Sequence, residues 1–185
     1  MSPLDGTSEP LVDPVAEAKI RALVAAYAYA VLTSDTELWL SLWQEREPLT
    51  DRTPGDPLTL DVDWARQVAT RWGSLGTTVL HVTTHLIRHL GEGRAGGRVF
   101  CLAELDRPNS PSGSFVRHSI VYEDEYVRVG QSWRFATRRH LLWYGRNEPS
   151  PREQPPANWP ESQVGRGVEL AEELRPLATR PPSRS

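Results

Sequence analysis

The sequence has one cysteine, Cys101, and one lysine, Lys19, in 185 residues. A single cysteine forms no intrachain disulfide and no cysteine cluster around a metal. No apolar run approaches the roughly 20 residues that a membrane-spanning helix needs. The first ten residues, MSPLDGTSEP, carry neither a basic start nor an apolar core, so no secretory signal is expected and the cytoplasm is the expected location. Neither sign of charge dominates. The net charge is −3, which gives no reason to expect nucleic acid or a membrane surface as partner.

Proline is abundant, and its placement divides the chain. Eight of the 16 prolines fall in the last forty residues. The division is a mobile N-terminus over 1–11, one domain over 12–146, and a Pro-rich, mostly irregular tail over 147–185.

Within the domain, Asp13-Pro14 reads as an N-cap followed by proline at the first helical position. Ile20, Leu23, Val24, Tyr27 and Val31 recur at helical spacing, predicting a helix to about Leu32. Ser34-Asp35 breaks it and caps a second helix over 36–43, with Leu38, Trp39, Leu42 and Trp43 inward. Three prolines between 48 and 57 mark a loop. A third helix runs from Asp61 or Asp63 through Trp72, with Trp64, Val68 and Trp72 on one stripe. From Thr77 the period changes to two. Strands are expected over 77–90, 98–106, 114–129 and 132–144, joined by a hairpin over 91–97, a loop over 107–113 and a tight turn at Gly130-Gln131. Three helices before an antiparallel meander imply an α+β domain with helices on one face of a curved sheet and a concave pocket between them.

The segment TTVLHVTTHLIRHL, 77–90, holds three of the five histidines, His81, His85 and His89. On a helix, the spacing of four would let two of them chelate one ion. On a strand they share a face but stand about 13 Å apart, too far for one ion to bridge. β-Branched residues and flanking glycines favour the strand, so no metal is expected. His118, on the strand SFVRHSIVYEDEY, shares a face with Ile120, Tyr122 and Asp124. That face lines the pocket or points outward, depending on register. Arg138 and Arg139 must point to opposite faces. Glu104 and Asp106 close the strand RVFCLAELD: either one turns inward as a carboxylate, or Asp106 starts the Pro-containing loop and Glu104 is solvated, the reading that the sequence favours. Trp39, Trp64 and Trp72 pack in the core or wall an aromatic pocket.

IRALVAAYAYAVLTSDTELWLSLW, HVTTHLI and YEDEYVRVGQSWRFATRRHLL occur in the order of the opening helices, the first long strand and the closing hairpin of SnoaL-like domains. Over roughly 12–144 the sequence resembles that family of the nuclear transport factor 2-like superfamily. The resemblance implies a cone-like α+β barrel, three N-terminal helices packed on a curved, mostly antiparallel sheet. Similar proteins include scytalone dehydratase, bile-acid dehydratase, ketosteroid isomerase and polyketide cyclases, which use no cofactor; others of the fold are not catalytic. By that resemblance His85 matches the acid/base histidine and Tyr27 the assisting tyrosine. Leu32 occupies the position of the aspartate that holds the histidine. His118 is a further catalytic candidate, and Trp39, Trp64, Trp72 and Tyr122 are candidates for binding substrate. The expectation is a homodimer acting by acid/base chemistry on an apolar, oxygenated small molecule such as a polyketide or steroid. The alternative is a ligand-binding or accessory protein of the same fold.

Overall fold

The computed structural model describes residues 13–45, 59–60, 62–70, 76–107 and 114–149. Helix α1 (Pro14–Thr33) begins where the Asp13 side chain accepts a bond from the Ala16 amide, and it ends at Ser34, whose φ of 53° is left-handed. Its inward stripe is Ile20, Leu23, Val24, Tyr27, Ala30 and Val31, the periodicity that the sequence predicts. Asp35 caps α2 (Thr36–Ser41) through the Leu38 amide. The expected helix to Trp43 stops short because its backbone has another partner. Phe135 donates to the Leu42 carbonyl and Gln44 to the Phe135 carbonyl, so 42–44 run beside a strand. The third helix, α3 (Val62–Ala69), is described only to Ala69; the expected extension to Trp72 lies outside the described residues.

The strands are β1 (Thr59–Leu60), β2 (Thr77–Gly91), β3 (Arg94–Arg107), β4 (Ser114–Val129) and β5 (Ser132–Pro149). They form one antiparallel sheet in the order β1-β5-β4-β3-β2. The sheet is open, with β1 and β2 at its edges. Two boundaries differ from the expectation. Residues 94–97, expected in a hairpin loop, belong to β3, and the turn is the short Glu92-Gly93 link with Gly93 at φ 67°. Strand β5 continues to Pro149, so 147–149, assigned to the tail, pair with β4. The rest of the tail and residues 1–12 lie outside the described residues.

The core lies between α1 and the inner face of the sheet. Ile20, Ala30, Ala65, Ala95, Val99 and Phe135 are fully enclosed, and Trp39, Trp43 and Tyr126 nearly so. Phe135 sits at the centre, with its ring against Tyr27, Trp43 and Tyr126. Truncating it removes contacts to α1, to β4 and to the segment after α2. Phe135→Ala is expected to lower the unfolding free energy by about 3–5 kcal/mol, measured by denaturant titration; a loss below about 1 kcal/mol would show that this core is not the fold's main support.

Candidate active site

An irregularity in β2 decides which histidine faces inward. Strict alternation would place His81 and His85 on one face. The register with β3 shifts between Val82 and Thr84, so Thr83 is an extra residue, and it bonds the Phe100 carbonyl through its hydroxyl. A one-residue bulge reverses the side-chain alternation beyond it. His81 therefore pairs opposite Leu102 on the outer face, half-exposed, with its ring 3.4 Å from Glu104. His85 pairs opposite the enclosed Val99 and is 8% exposed. The expectation that the two share a face is corrected. Glu104, the candidate inward carboxylate, is on the outer side with His81 and Arg117.

Strand β4 supplies the partners of His85. Ile120, Tyr122, Asp124 and Tyr126 alternate inward and are buried. The Tyr126 hydroxyl donates to Asp124 Oδ2 at 2.7 Å and stands 3.0 Å from His85 Nε2. Asp124 is gripped by Arg138 of β5, Nε to Oδ1 and Nη2 to Oδ2, both at 2.7 Å. Arg138 is 1% exposed. Its guanidinium lies 4.1–4.5 Å from the ring centres of Tyr122, Tyr27 and Phe135. Charge is tolerated in this interior because the pair is bidentate and the rings' electron-rich faces surround the cation.

Counting protons fixes the tautomer. The single Tyr126 hydroxyl proton goes to Asp124, so the tyrosine oxygen can only accept from histidine. His85 therefore carries its proton on Nε2, and Nδ1 keeps its lone pair. Burial lowers the His85 pKa from 6.5 to about 4; Asp124 opposes the shift, and Arg21 and Arg138 add to it. The ring is neutral at ordinary pH, with one nitrogen anchored and the other basic. Burial, reinforced by the Asp124 carboxylate, raises Tyr126 well above its usual value, so it stays protonated. Burial disfavours the Arg138 cation, but Asp124 outweighs that and holds its pKa above the ordinary value. From the helix side, Arg21 Nη1 donates to the His85 carbonyl at 3.1 Å and its other nitrogens hold Glu17.

The other candidates fall in different places. Tyr27 is buried against Trp39, Trp43, Tyr122 and Phe135, under Arg138, and reaches His85 only through the Arg138–Asp124–Tyr126 line. Trp39 is core packing. The Trp64 side chain and Trp72 lie outside the described residues. Tyr122 is buried, with one contact to Arg138 and another to His140, their rings 5.4 Å apart. His118 is on the inner face, its ring over Gly145, but four residues from Tyr122 is about 13 Å along the strand. Burial and the neighbouring His118 lower the pKa of His140. Leu32 is eleven residues beyond Arg21 on α1, about 16 Å along the axis, so position 32 and His85 do not face each other. A cavity of about 780 Å³ lies against the other side of the sheet, where Leu86, Arg88, Arg98, Glu123 and Arg139 line it.

Asp124, Tyr126 and the role of Arg138 were not assigned from sequence. The signal available was Tyr122-x-Asp124-x-Tyr126 at period two, opposite an inward arginine. Among the described residues, no group of three or more His, Cys, Asp or Glu is arranged to hold a metal.

The depressed His85 value has a consequence for stability. Below pH 6.5 the unfolded chain binds a proton on His85 that the folded chain does not bind until about pH 4. Stability from this group is therefore complete above 6.5 and declines as the pH falls through that window, by up to about 1.4 kcal/mol per unit. The stability advantage of wild type over His85→Gln should shrink steadily between those values in denaturant titrations. A pH-independent difference would show that His85 is not held neutral.

The SnoaL-like domain model matches residues 15–139. No curated protein matches the sequence. Among solved structures, a type 2 hexachlorocyclohexane dehydrochlorinase superposes with a TM-score of 0.60 at 15% identity, covering 74% of this chain and 90% of the other. A candidate scytalone dehydratase from Novosphingobium aromaticivorans gives 0.60 at 18% identity, covering 74% and 89%. A Kribbella flavida protein gives 0.55 at 20%, covering 70% and 92%. These structures share its fold, and with the family model matching two-thirds of its length, the chain belongs to the SnoaL-like domain family.

Proposed function

We propose that this protein is a cofactor-independent acid/base enzyme, a dehydratase, isomerase or cyclase, acting on an apolar, oxygenated small molecule such as a polyketide or steroid. The observation that carries the reading is His85, buried, neutral, anchored through Nε2 and basic at Nδ1. A base held this way removes a proton from carbon next to a carbonyl, or opposite a leaving group. The proton arrives on Nδ1 while Nε2–H keeps its bond to Tyr126, so nothing has to rotate. The imidazolium formed is stabilised through Tyr126 by the Asp124 carboxylate. Its return proton protonates the departing oxygen in a dehydration or the shifted carbon in an isomerisation. Tyr27 supports Arg138 in this reading and does not polarise the substrate. His118 and His140 line the far part of the inner face, where they would bind the remote end of a multi-ring substrate. Two solved relatives carry names of elimination enzymes, a dehydrochlorinase and a candidate dehydratase, which supports carbon deprotonation as the shared step.

The rival is a ligand-binding protein of the same fold. It draws on one observation: no carboxylate bonds His85 directly among the described residues. In that case His85→Gln weakens ligand affinity by only about 0.5–1.5 kcal/mol, the net value of one hydrogen bond.

The outer face of the sheet bares Leu86 (58% exposed) and Trp143 (67%). Large apolar side chains bared on one sheet face favour association there, and a homodimer through this face is part of the proposal. Light scattering at micromolar concentration should give twice the chain mass; a monomer would remove the dimer without touching the chemistry.

The test of the chemistry uses 5-nitrobenzisoxazole, whose ring opens when a base removes its carbon-bound proton. His85→Gln should slow this reaction by about 100- to 10,000-fold. Tyr126→Phe leaves Nε2–H without its acceptor and should slow it by about 10- to 100-fold. In the wild type, kcat/KM should stay level down to about pH 5 and fall tenfold per unit below about pH 4, where Nδ1 becomes protonated. An undiminished rate in His85→Gln would end the proposal.

A further inference from the structure

His85 and Tyr126 are not partners in the sheet. His85 lies opposite Val99 and Tyr126 opposite Ala95, with β3 between their strands. Their hydrogen bond therefore crosses β3 diagonally, above residue 97, whose own row holds Ile87 and Asp124. That residue is glycine. A Cβ there would stand 2.8 Å from both Cε2 and Oη of Tyr126 and 3.0 Å from His85 Nε2. The bond passes through the space that any other residue would fill. These are ring atoms packed in the core, with no flexible end to swing aside.

Backbone conformation does not explain this glycine. Among the described residues, the positive-φ glycines are Gly76, Gly91, Gly93 and Gly130; Gly97 has ordinary strand geometry, which alanine adopts at lower entropic cost. Its neighbour provides a built-in comparison. Gly96 faces the outer side, where a Cβ would come within 3.2 Å of Arg88 Nε and Leu90 Cδ1. Those are the far ends of long, exposed chains that can move.

We propose that Gly97 is a positioning residue: its missing side chain opens the crossing through which His85 and Tyr126 join, and so fixes the tautomer and aim of the base. Its catalytic part rests on the reading of His85 given above; its part in the hydrogen bond does not. A methyl at 97 forces one ring away, leaves Nε2–H without its acceptor and lets the imidazole change tautomer.

The test makes Gly97→Ala and Gly96→Ala in the full chain and follows the ring nitrogens of His85 by NMR through a pH titration. Wild type and Gly96→Ala should both show the Nε2–H tautomer and titrate near 4. In Gly97→Ala the tautomers should become mixed and the titration should leave its wild-type position, and 5-nitrobenzisoxazole opening should fall by roughly 100-fold, the scale of a misplacement of about 1 Å. An unchanged His85 tautomer and titration in Gly97→Ala overturns the proposal. A changed titration with an unchanged rate leaves Gly97 as the positioner of the bond and removes His85 as the base. Should Gly97→Ala fail to fold, the Tyr126→Leu background decides, because Leu lacks both Cε2 and Oη. There the added methyl should cost far less stability than it does beside tyrosine, and an equal loss in the two backgrounds overturns the proposal.

Discussion

The buried ion pair between Asp124 and Arg138 is the constraint on which the inner face depends. It joins β4 to β5, and through the Tyr27 ring it meets α1. Removing two charges from water is costly, and a pair of well-packed apolar residues would often be as stable. Stability alone therefore does not explain the pair. What apolar residues could not supply is a fixed acceptor for the Tyr126 hydroxyl. Both Asp124 oxygens are held by Arg138, so the carboxylate cannot turn, and the tyrosine proton has one direction to point. The orientation passes to His85, where it becomes a choice of tautomer.

The same line accounts for the departure at Leu32. The resemblance places an acidic residue on the first helix beside the histidine. Here the carboxylate comes from the sheet and acts through a phenol, with the helix contributing Arg21 to the His85 backbone instead. A phenol between imidazole and carboxylate transmits less charge than a direct bond, and burial wins: the His85 pKa falls although a carboxylate is near. The result is an imidazole that is almost wholly unprotonated at neutral pH. Space is part of the same arrangement, since the phenol reaches the imidazole only because β3 has no side chain at Gly97.

The sequence by itself determined the elements. Capping by Asp13 and Asp35, the helical stripe of α1 and the change of period at Thr77 are local effects, set by hydrogen bonds and side-chain spacing within a few residues, and they hold in the structure. That Arg138 and Arg139 part to opposite faces was equally legible, because a strand's period of two leaves no alternative. Tertiary structure decided the rest. Phe135 ended α2 early by offering its backbone to 42–44. The bulge at Thr83 put His85 inside and His81 outside, and no local pattern announces one extra residue in a β-branched run. The glycines at 96 and 97 read as turn because glycine usually marks one; only the rings arriving from two other strands give Gly97 its steric purpose. Asp124, Tyr126 and Arg138 lie up to 14 residues apart and meet His85 across 41. Their association depends on register between strands, which is a property of the assembled sheet and not of any segment within it.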